Sequence, residues 1–379
     1  MSNNALGELE AQAMAELRLG ALRAYLSALE KRDVEIVRVG GLRKPKKSRL
    51  VGKLKGFGYG TPYLVEYRAG SKAKSSVLET MRPGGFGHDF PWDRAQSLLF
   101  AHCTYNRLPR HVRSVDVGVF TKKSELKSVG DFSEFFILTE KVDGQGYYKD
   151  LERIRDSGVM TEMDLRRCAA LSEYVARVHS VKKNDPDLYV RAVRDLVGHG
   201  ECIMGLIDSY PKEADFLEED ELKVIEKKCV EWRWKLKNKS RSLCRVHGDF
   251  HPFNLMFRKG TDFTALDRSR WEWGEAADDV ASMSINYLLF SIQAYGKLAS
   301  PFDQLYELFM RTYLDRTGDR ELLEVIQPFY VWRCLVVASP LWYPNLGRDN
   351  RRRFFNFIRA VLDTDTFDVN SVNSYLGYA

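Results

Sequence analysis

The chain has 379 residues, 44% apolar and 29% charged, the make-up of an ordinary soluble globular protein. That length exceeds what one compact core usually holds, so two lobes or domains are expected. The formal net charge of +6 is modest, suiting an anionic ligand such as a nucleotide without requiring nucleic acid as a partner. No apolar run reaches the roughly eighteen residues of a membrane span. The polar, early-acidic N-terminus is not a signal peptide. Six scattered cysteines without a CxxC pair argue against a structural zinc site or a disulfide framework. A reducing cytoplasm with free thiols is the expected setting.

Taken in chain order, residues 1–34 read as an amphipathic helical extension. Residues 35–142 then read as a β-rich lobe. "VEIVRVGGL", "RLVGKLKGFGYG", "TPYLVEYRAG" and "SSVLETMRP" are short runs of β-branched and aromatic residues broken by glycine, proline and lysine clusters. A helix is expected in "DRAQSLLFAHCTYNRL", followed by strands at "SVDVGVF" and "EFFILTEKV". From 143 to the end the pattern turns helical. Leu165, Cys168, Leu171, Val175 and Val178 fall at three- and four-residue steps on one helix face. Further helices are expected in "DFLEEDELKVIEKKCVEWRWKLKN", around "ADDVASMSINYLLFSIQAYG", and through most of the last eighty or so residues. The fold class is α+β, a small β-bearing half followed by a large α-rich half.

Between the helical blocks lies "RVHGDFHPFNLMF", Arg245 to Phe257, which crowds His247, Asp249, His251 and Asn254 among apolar residues. The following "LMFRKGTDFTALD" reads as a β-hairpin: an apolar strand, a turn at "RKGTD", and a strand ending at Asp267. Such a hairpin sets Asn254 and Asp267 side by side. An amide oxygen and a carboxylate held together make an oxygen-donor pair suited to Mg²⁺. Asp249, upstream on the same loop, is placed to orient and deprotonate a hydroxyl, the division of labour found in phosphoryl transfer. A zinc site built from His247, His251 and Asp249 is the rival reading. It lacks a further good ligand and leaves Asn254 without a purpose.

The segment "HGDFHPFN…ALD" resembles the aminoglycoside phosphotransferase family, small-molecule kinases with a protein-kinase-like two-lobed fold. The family's loop has the form HGD-x-H-x-x-N, followed by a hairpin ending in a metal-binding aspartate. The resemblance implies a small β-rich N-lobe and a large, mostly helical C-lobe. It makes Asp249 the catalytic base, Asn254 and Asp267 the Mg²⁺ ligands, and His247 and His251 residues that shape the loop. It further implies ATP as phosphoryl donor and a small-molecule hydroxyl as acceptor, such as an aminoglycoside, sugar or amino alcohol. After Asp267, "RSRWEWGEAADDVASM" leads into a helix that Asp278 or Asp279 is expected to cap. Arg268 and Arg270 either bind phosphate or an acidic acceptor, or pair at the surface with Glu272 and Glu275. About eleven residues separate Asp267 from Asp278, too few for the activation segment of a protein-directed kinase.

On the nucleotide side, Gly56, Gly58 and Gly60 in "LKGFGYGTPYLVEY" fit a hairpin turn lying flat over phosphates. "FFILTEKVDG" resembles the linker between lobes, where the backbone from Glu140 to Val142 would meet an adenine edge. The departure is "SSVLETMRP". The family normally ends this strand on a phosphate-gripping lysine, and here Glu79 takes that place. Three explanations stand. A bulge turns Arg82 inward to replace the lysine, the favoured reading; Glu79 pairs with Arg94; or the chain binds nucleotide without turnover. For the acceptor, Trp232, Trp234, Trp342 and Tyr343 either floor a pocket or belong to the core. The "DFLEEDE" cluster either lines an acidic pocket or opens a helix. Arg351, Arg352 and Arg353 read as a solvated helix face.

Overall fold

The computed structural model describes residues 19–41, 60–84, 87–268 and 270–377. The chain divides into two compact units, Met1–Thr139 and Glu140–Ala379.

The first unit is built on a three-stranded antiparallel sheet of β1 (Val34–Gly41), β2 (Gly60–Ala69) and β3 (Lys72–Met81), in that order. The "RAGSKAKS" turn is a two-residue hairpin at Gly70–Ser71, with Ala69 paired to Lys72. Helix α1 (Leu19–Glu30) precedes the sheet, and its stripe of Leu22 and Leu26, four residues apart, packs on Val34, Val65, Tyr67 and Ala69. Helix and sheet thus share one core. Helix α2 (Pro91–Tyr105) follows, its first turn closed by Asp93, which accepts a hydrogen bond from the Phe90 amide at 2.8 Å. A short hairpin of β4 (Gly118–Phe120) and β5 (Leu126–Ser128) completes the elements.

One expected strand does not form. "EFFILTEKV" has no strand in it, and Phe136, Ile137 and Leu138 are 91%, 86% and 89% exposed. β-branched and aromatic content favours a strand only where a neighbouring strand pairs with it. Among the described residues none does.

The second unit is mostly helical: α3 (Tyr148–Ser157), α4 (Glu162–His179), α5 (Pro186–Gly198), α6 (Ile203–Asp208), α7 (Glu219–Leu236), α8 (Ala277–Tyr295), α9 (Phe302–Thr317), α10 (Gln327–Ala338), α11 (Arg348–Leu362) and α12 (Val372–Tyr375). Helix α8 is its axis, buried on every side from Ala277 to Ile292, as an all-round apolar helix must be. Helices α3, α9 and α10 pack on it, and α4 packs on α9. The α4 stripe expected from spacing is the buried one, with Cys168, Leu171 and Val175 fully covered.

Between α7 and α8 runs the short β-structure that carries the candidate site. β7 (Cys244–Arg245) pairs with β10 (Trp273–Gly274), while β8 (Leu255–Phe257) lies between β6 (Gln145–Gly146) and β9 (Phe263–Ala265). The β8–β9 hairpin is the expected one. Its turn is closed by the Arg258 amide on the Asp262 carbonyl at 2.8 Å. Arg167 on α4 clamps the turn from behind, donating to the carbonyls of Gly260 at 2.9 Å and Arg258 at 3.1 Å. The same guanidinium pairs with Asp150 at 2.6 Å.

The basic run on α11 differs from expectation. Arg351 is buried and donates to the carbonyls of Ala338 and Tyr343 at 2.5 and 2.6 Å, pinning the loop between α10 and α11; Arg352 is exposed. The register of α11 turns Arg351 onto the apolar face with Phe354 and Phe355, so its charge is spent on backbone carbonyls rather than on water.

Candidate active site

The loop from His247 to Asn254 is held from beneath by α8. Asp279, fully buried, accepts the His247 amide at 2.7 Å on one oxygen and the Gly248 amide at 2.9 Å on the other. His179 from α4 meets the first oxygen at 3.0 Å and is itself set by the Tyr313 hydroxyl at 2.8 Å. Gly248 has φ +84°, a left-handed turn that a side chain would strain, and this turn lets two successive amides face one carboxylate. Burial alone would lift the Asp279 carboxyl. The hydrogen bond from His179, with the charges and amide around it, outweighs burial and holds it below the ordinary value.

Asp278 and Asp279 therefore do not cap α8. The N-cap position is Ala276, and both aspartates lie inside the first turn. Asp278 faces the opposite way from its neighbour. It accepts from Arg333 at 2.6 Å and from the Trp271 indole at 3.2 Å. Burial pushes its carboxyl up to about 6, against the pull of Arg333 and with the charge of Asp279 beside it.

Arg333 then reaches Asp249. Its other terminal nitrogen donates to Asp249 Oδ1 at 2.8 Å, and Arg270 donates to the same oxygen at 2.6 Å. Both guanidinium groups lie against the Trp332 ring, at 3.9 and 4.7 Å from its centre. Asp249 Oδ2 receives the Asn254 amide at 3.1 Å and has His251 Nε2 at 3.4 Å. Burial would raise the Asp249 carboxyl, but the His251 hydrogen bond and the charges of Arg333 and Arg270 hold it far below the carboxylate range.

His247 and His251 both shape the loop. His247 Nδ1 accepts the Asp249 amide at 3.3 Å, and burial keeps the ring's pKa below its ordinary value despite Asp279 and Asp249 nearby. His251 Nδ1 accepts the Phe253 amide at 3.2 Å, capping the single 3₁₀ turn Pro252–Asn254.

Asn254 gives its amide hydrogens to Asp249, to the backbone carbonyl and Oδ2, each at 3.1 Å. Among the described residues its Oδ1 accepts no hydrogen bond. The Asn254 carbonyl receives the Leu266 amide at 2.7 Å, which extends the β8–β9 ladder by one step and puts Asp267 at the next position. Asp267 is exposed, with φ +49°, an uncommon conformation for a residue other than glycine. The Asn254 amide oxygen and the Asp267 carboxylate are both hard oxygen donors, the chemistry a divalent cation takes. Among the described residues no three His, Cys, Asp or Glu side chains gather as a metal cluster, the set His247, Asp249 and His251 included.

Among the described residues neither of the two arginines after Asp267 pairs with the Glu272 or Glu275 side chain, as the surface reading expected. Arg268 donates to the carbonyls of Val246 and Glu272 at 2.8 and 3.1 Å, while Arg270 turns inward to Asp249. Glu275 is buried and accepts from the Tyr189 hydroxyl at 2.9 Å, from the Ser242 hydroxyl, and from the Ala276 amide at 3.1 Å.

The residues expected to meet nucleotide lie elsewhere in the chain. Gly56 and Gly58 fall outside the described residues. Gly60 opens β2, and Glu79 on β3 lies across it, so that a Cβ on Gly60 would meet the Glu79 carboxylate at 1.9 Å. The β2–β3 register runs without a shift from Gly60–Met81 to Ala69–Lys72; Arg82 follows the strand directly and is half-buried. Arg94 does not pair with Glu79. One of its terminal nitrogens donates to the carbonyls of His88 and Asp89, at 2.9 and 3.1 Å. Glu140 is exposed and Val142 half-buried, in a segment without strand structure.

Of the aromatic candidates, Trp232 is core, its indole on the Leu362 carbonyl at 3.1 Å, while Trp234 and Trp342 are exposed. Tyr343 lies where burial pushes its hydroxyl up to about 12, within reach of the charges of Arg333 and Asp249. The "DFLEEDE" cluster opens α7, with Glu219, Asp220 and Glu221 in the first turn. Sequence reasoning missed Arg333 and His179. The available signal for Arg333 was a lone charge inside the apolar run "FYVWRCLVVA", costly unless paired.

Residues 120–319, just over half of the chain, match the model of the phosphotransferase enzyme family. No curated protein matches the chain in sequence. Solved structures similar to it include ethanolamine kinase of Plasmodium vivax, at 15% identity over 83% of this chain and 78% of that one, TM-score 0.35. Choline kinase of Cryptosporidium parvum is 11% identical over 90% and 87%, with a TM-score of 0.31. Macrolide 2'-phosphotransferase of Brachybacterium faecium is 12% identical over 91% and 97%, with a TM-score of 0.29. The span matched by the family takes in the whole loop and hairpin. The chain belongs to the phosphotransferase enzyme family and is a phosphotransferase with an alcohol group as acceptor.

Proposed function

We propose that the protein transfers the γ-phosphoryl group of ATP to a hydroxyl of a small molecule, with Mg²⁺, in a two-lobed kinase-like arrangement. The reading is supported above all by one observation. The amide of Asn254 is fixed on Asp249 while its carbonyl carries the ladder to the position before Asp267. Asn254 Oδ1 and the Asp267 carboxylate would hold the cation. When bound, Mg²⁺ would neutralise charge on the phosphate oxygens.

Asp249 would align the acceptor hydroxyl for in-line attack on the γ-phosphorus and take its proton. The bond from that phosphorus to the β–γ bridging oxygen breaks, and the electron pair leaves with ADP. His247, Asp279 and His179 would keep the loop backbone in register. On the nucleotide side, the backbone of Glu140 to Val142 would receive the adenine edge. No helix is long and apolar enough to cross a membrane among the described residues. A freely diffusing cytoplasmic acceptor, with no role for nucleic acid, fits this reading.

The test is Mg²⁺-dependent ATP consumption across a panel of small alcohols, run with Asp249→Asn alongside. Acceptor-dependent turnover is expected, lowered about 10³-fold in the variant with its fold intact. Turnover unchanged by Asp249→Asn would remove the assigned base.

A further inference from the structure

Oδ1 of Asp249 is fully subscribed. A carboxylate offers about four acceptor positions. On Oδ1 two are taken by Arg270 and Arg333 at 2.6 and 2.8 Å. Oδ2 holds Asn254 at 3.1 Å and has His251 Nε2 beside it at 3.4 Å. An acceptor hydroxyl has nowhere to bond on Oδ1 until one donor leaves.

The four donors differ in how firmly they are tied. Asn254 is part of the hairpin ladder, and His251 is fixed by the Phe253 amide. Arg333 rises from α10 and is anchored on buried Asp278 at 2.6 Å. Arg270 has as its second anchor only a neutral group, the Gly248 carbonyl at 2.6 Å, and among the described residues no second carboxylate within hydrogen-bond distance. Its nearest other carboxylate, Glu201, is 3.7 Å away with a side chain 63% exposed, beyond hydrogen-bond reach. Its backbone has φ +65°, strained for a residue other than glycine. Its side chain is only 10% exposed, yet its Nε, like that of Arg333, is buried without a hydrogen-bond partner among the described residues. Nε and Nη2 form one edge of the guanidinium fork, the edge that takes a carboxylate with two parallel bonds. Here Nη2 holds Asp249 Oδ1 and the Gly248 carbonyl, both at 2.6 Å, while Nε holds nothing.

We propose that the acceptor is a hydroxy acid, whose own carboxylate takes the Nε–Nη2 edge of Arg270 and so frees Asp249 Oδ1 for the hydroxyl. The exchange is like for like, one carboxylate on Arg270 replaced by another, and it satisfies the orphaned Nε. A neutral or cationic alcohol lacks the group that makes the exchange, so Oδ1 stays closed to it. The proposal rests on the phosphotransfer reading above. It also narrows that reading to acceptors that bring a carboxylate of their own.

The experiment uses matched pairs in the Mg²⁺–ATP assay: glycerate with glyceramide, lactate with lactamide, and further hydroxy acids with their amides, with ethanolamine as a cationic alcohol. The expected result is that hydroxy acids exceed their amides in kcat/KM by roughly 30-fold, the worth of a charged hydrogen-bonded pair. Arg270→Gln should bring that ratio to within about threefold. It should also raise ATP hydrolysis in the absence of acceptor, which loss of folding would not do. Arg270→Lys, which keeps the charge without the fork, should retain part of the preference. Amides or ethanolamine used as well as the acids would overturn the proposal. So would an Arg270→Gln loss shared equally by acids and amides together with weakened nucleotide binding, which would put Arg270 on the γ-phosphoryl group instead. If no alcohol in the panel turns over, calorimetry with AMP-PNP and Mg²⁺ decides, and equal or absent binding of acids and amides counts against it. If Asp249→Asn abolishes turnover while amides match acids, this inference falls and the phosphotransfer reading stands.

Discussion

The loop His247–Asn254 and the end of β3 carry the two halves of the proposed chemistry, and they are built in opposite ways. In the loop nearly every polar group has a partner inside the same unit: amides on Asp279, carboxylate oxygens on arginines, histidine nitrogens on amides. At β3 the corresponding group is Glu79, exposed and resting across Gly60 without an ion-pair partner among the described residues. Buried polar groups must be paired within the fold, so their geometry is fixed before any ligand arrives. An exposed strand-end carboxylate is under no such demand. Substitutions should therefore cost much in the loop's support and little at β3.

The largest effect is expected at Asp279. Asp279→Ala strands two backbone amides and His179 in a dry interior, and breaking such a buried charged network costs about 3–5 kcal/mol. Urea unfolding should show that loss. A change below about 1 kcal/mol would mean the loop is held by something other than α8.

A smaller, pH-dependent effect is expected at Glu275. Burial pushes this carboxyl up to about 7, only partly relieved by Ser242 and Tyr189. The unfolded chain releases this proton near the ordinary value of 4.5, before the folded protein does. This group's favourable contribution is thus complete below about 4.5 and is lost as pH rises toward 7, by up to about 3 kcal/mol. Glu275→Gln keeps the acceptor oxygen and removes the ionisation. It should raise Tm at pH 8 and leave it nearly unchanged at pH 4.5, as read by thermal unfolding at both values. Equal shifts at the two would contradict the assignment.

The smallest effect belongs to the first unit. Gly60→Ala pushes against only the tip of the Glu79 side chain, which is free to swing away, so stability should change by less than about 0.5 kcal/mol. A larger loss would show that Glu79 is held in place after all, and would erase the contrast with the loop.

How much of this was legible follows the same division. The loop, the hairpin and the order of helices could be read from local pattern, because Asp249, Asn254 and Asp267 lie within one short segment and the α4 stripe repeats at helical spacing. What could not be read was long-range pairing. Nothing in "RSRWEWGEAADDV" announces that Arg270 turns inward, or that Asp278 and Asp279, adjacent in sequence, serve different partners. Capping was the local expectation for both aspartates, and tertiary burial overrode it. Arg351 followed the same course: a charge run suggests solvent, while the helix register put one member inside. "EFFILTEKV" failed the other way, its composition right for a strand but its pairing partner missing among the described residues.

The claim on which the account rests is that Asn254 and Asp267 together hold a divalent cation beside Asp249. Electron paramagnetic resonance of Mn²⁺, titrated into the protein with AMP-PNP, tests it without requiring an acceptor. The account predicts that Asn254→Ala and Asp267→Asn each weaken Mn²⁺ binding by about tenfold or more, while Asp249→Asn changes it little. Mn²⁺ affinity unmoved by either ligand substitution would contradict it.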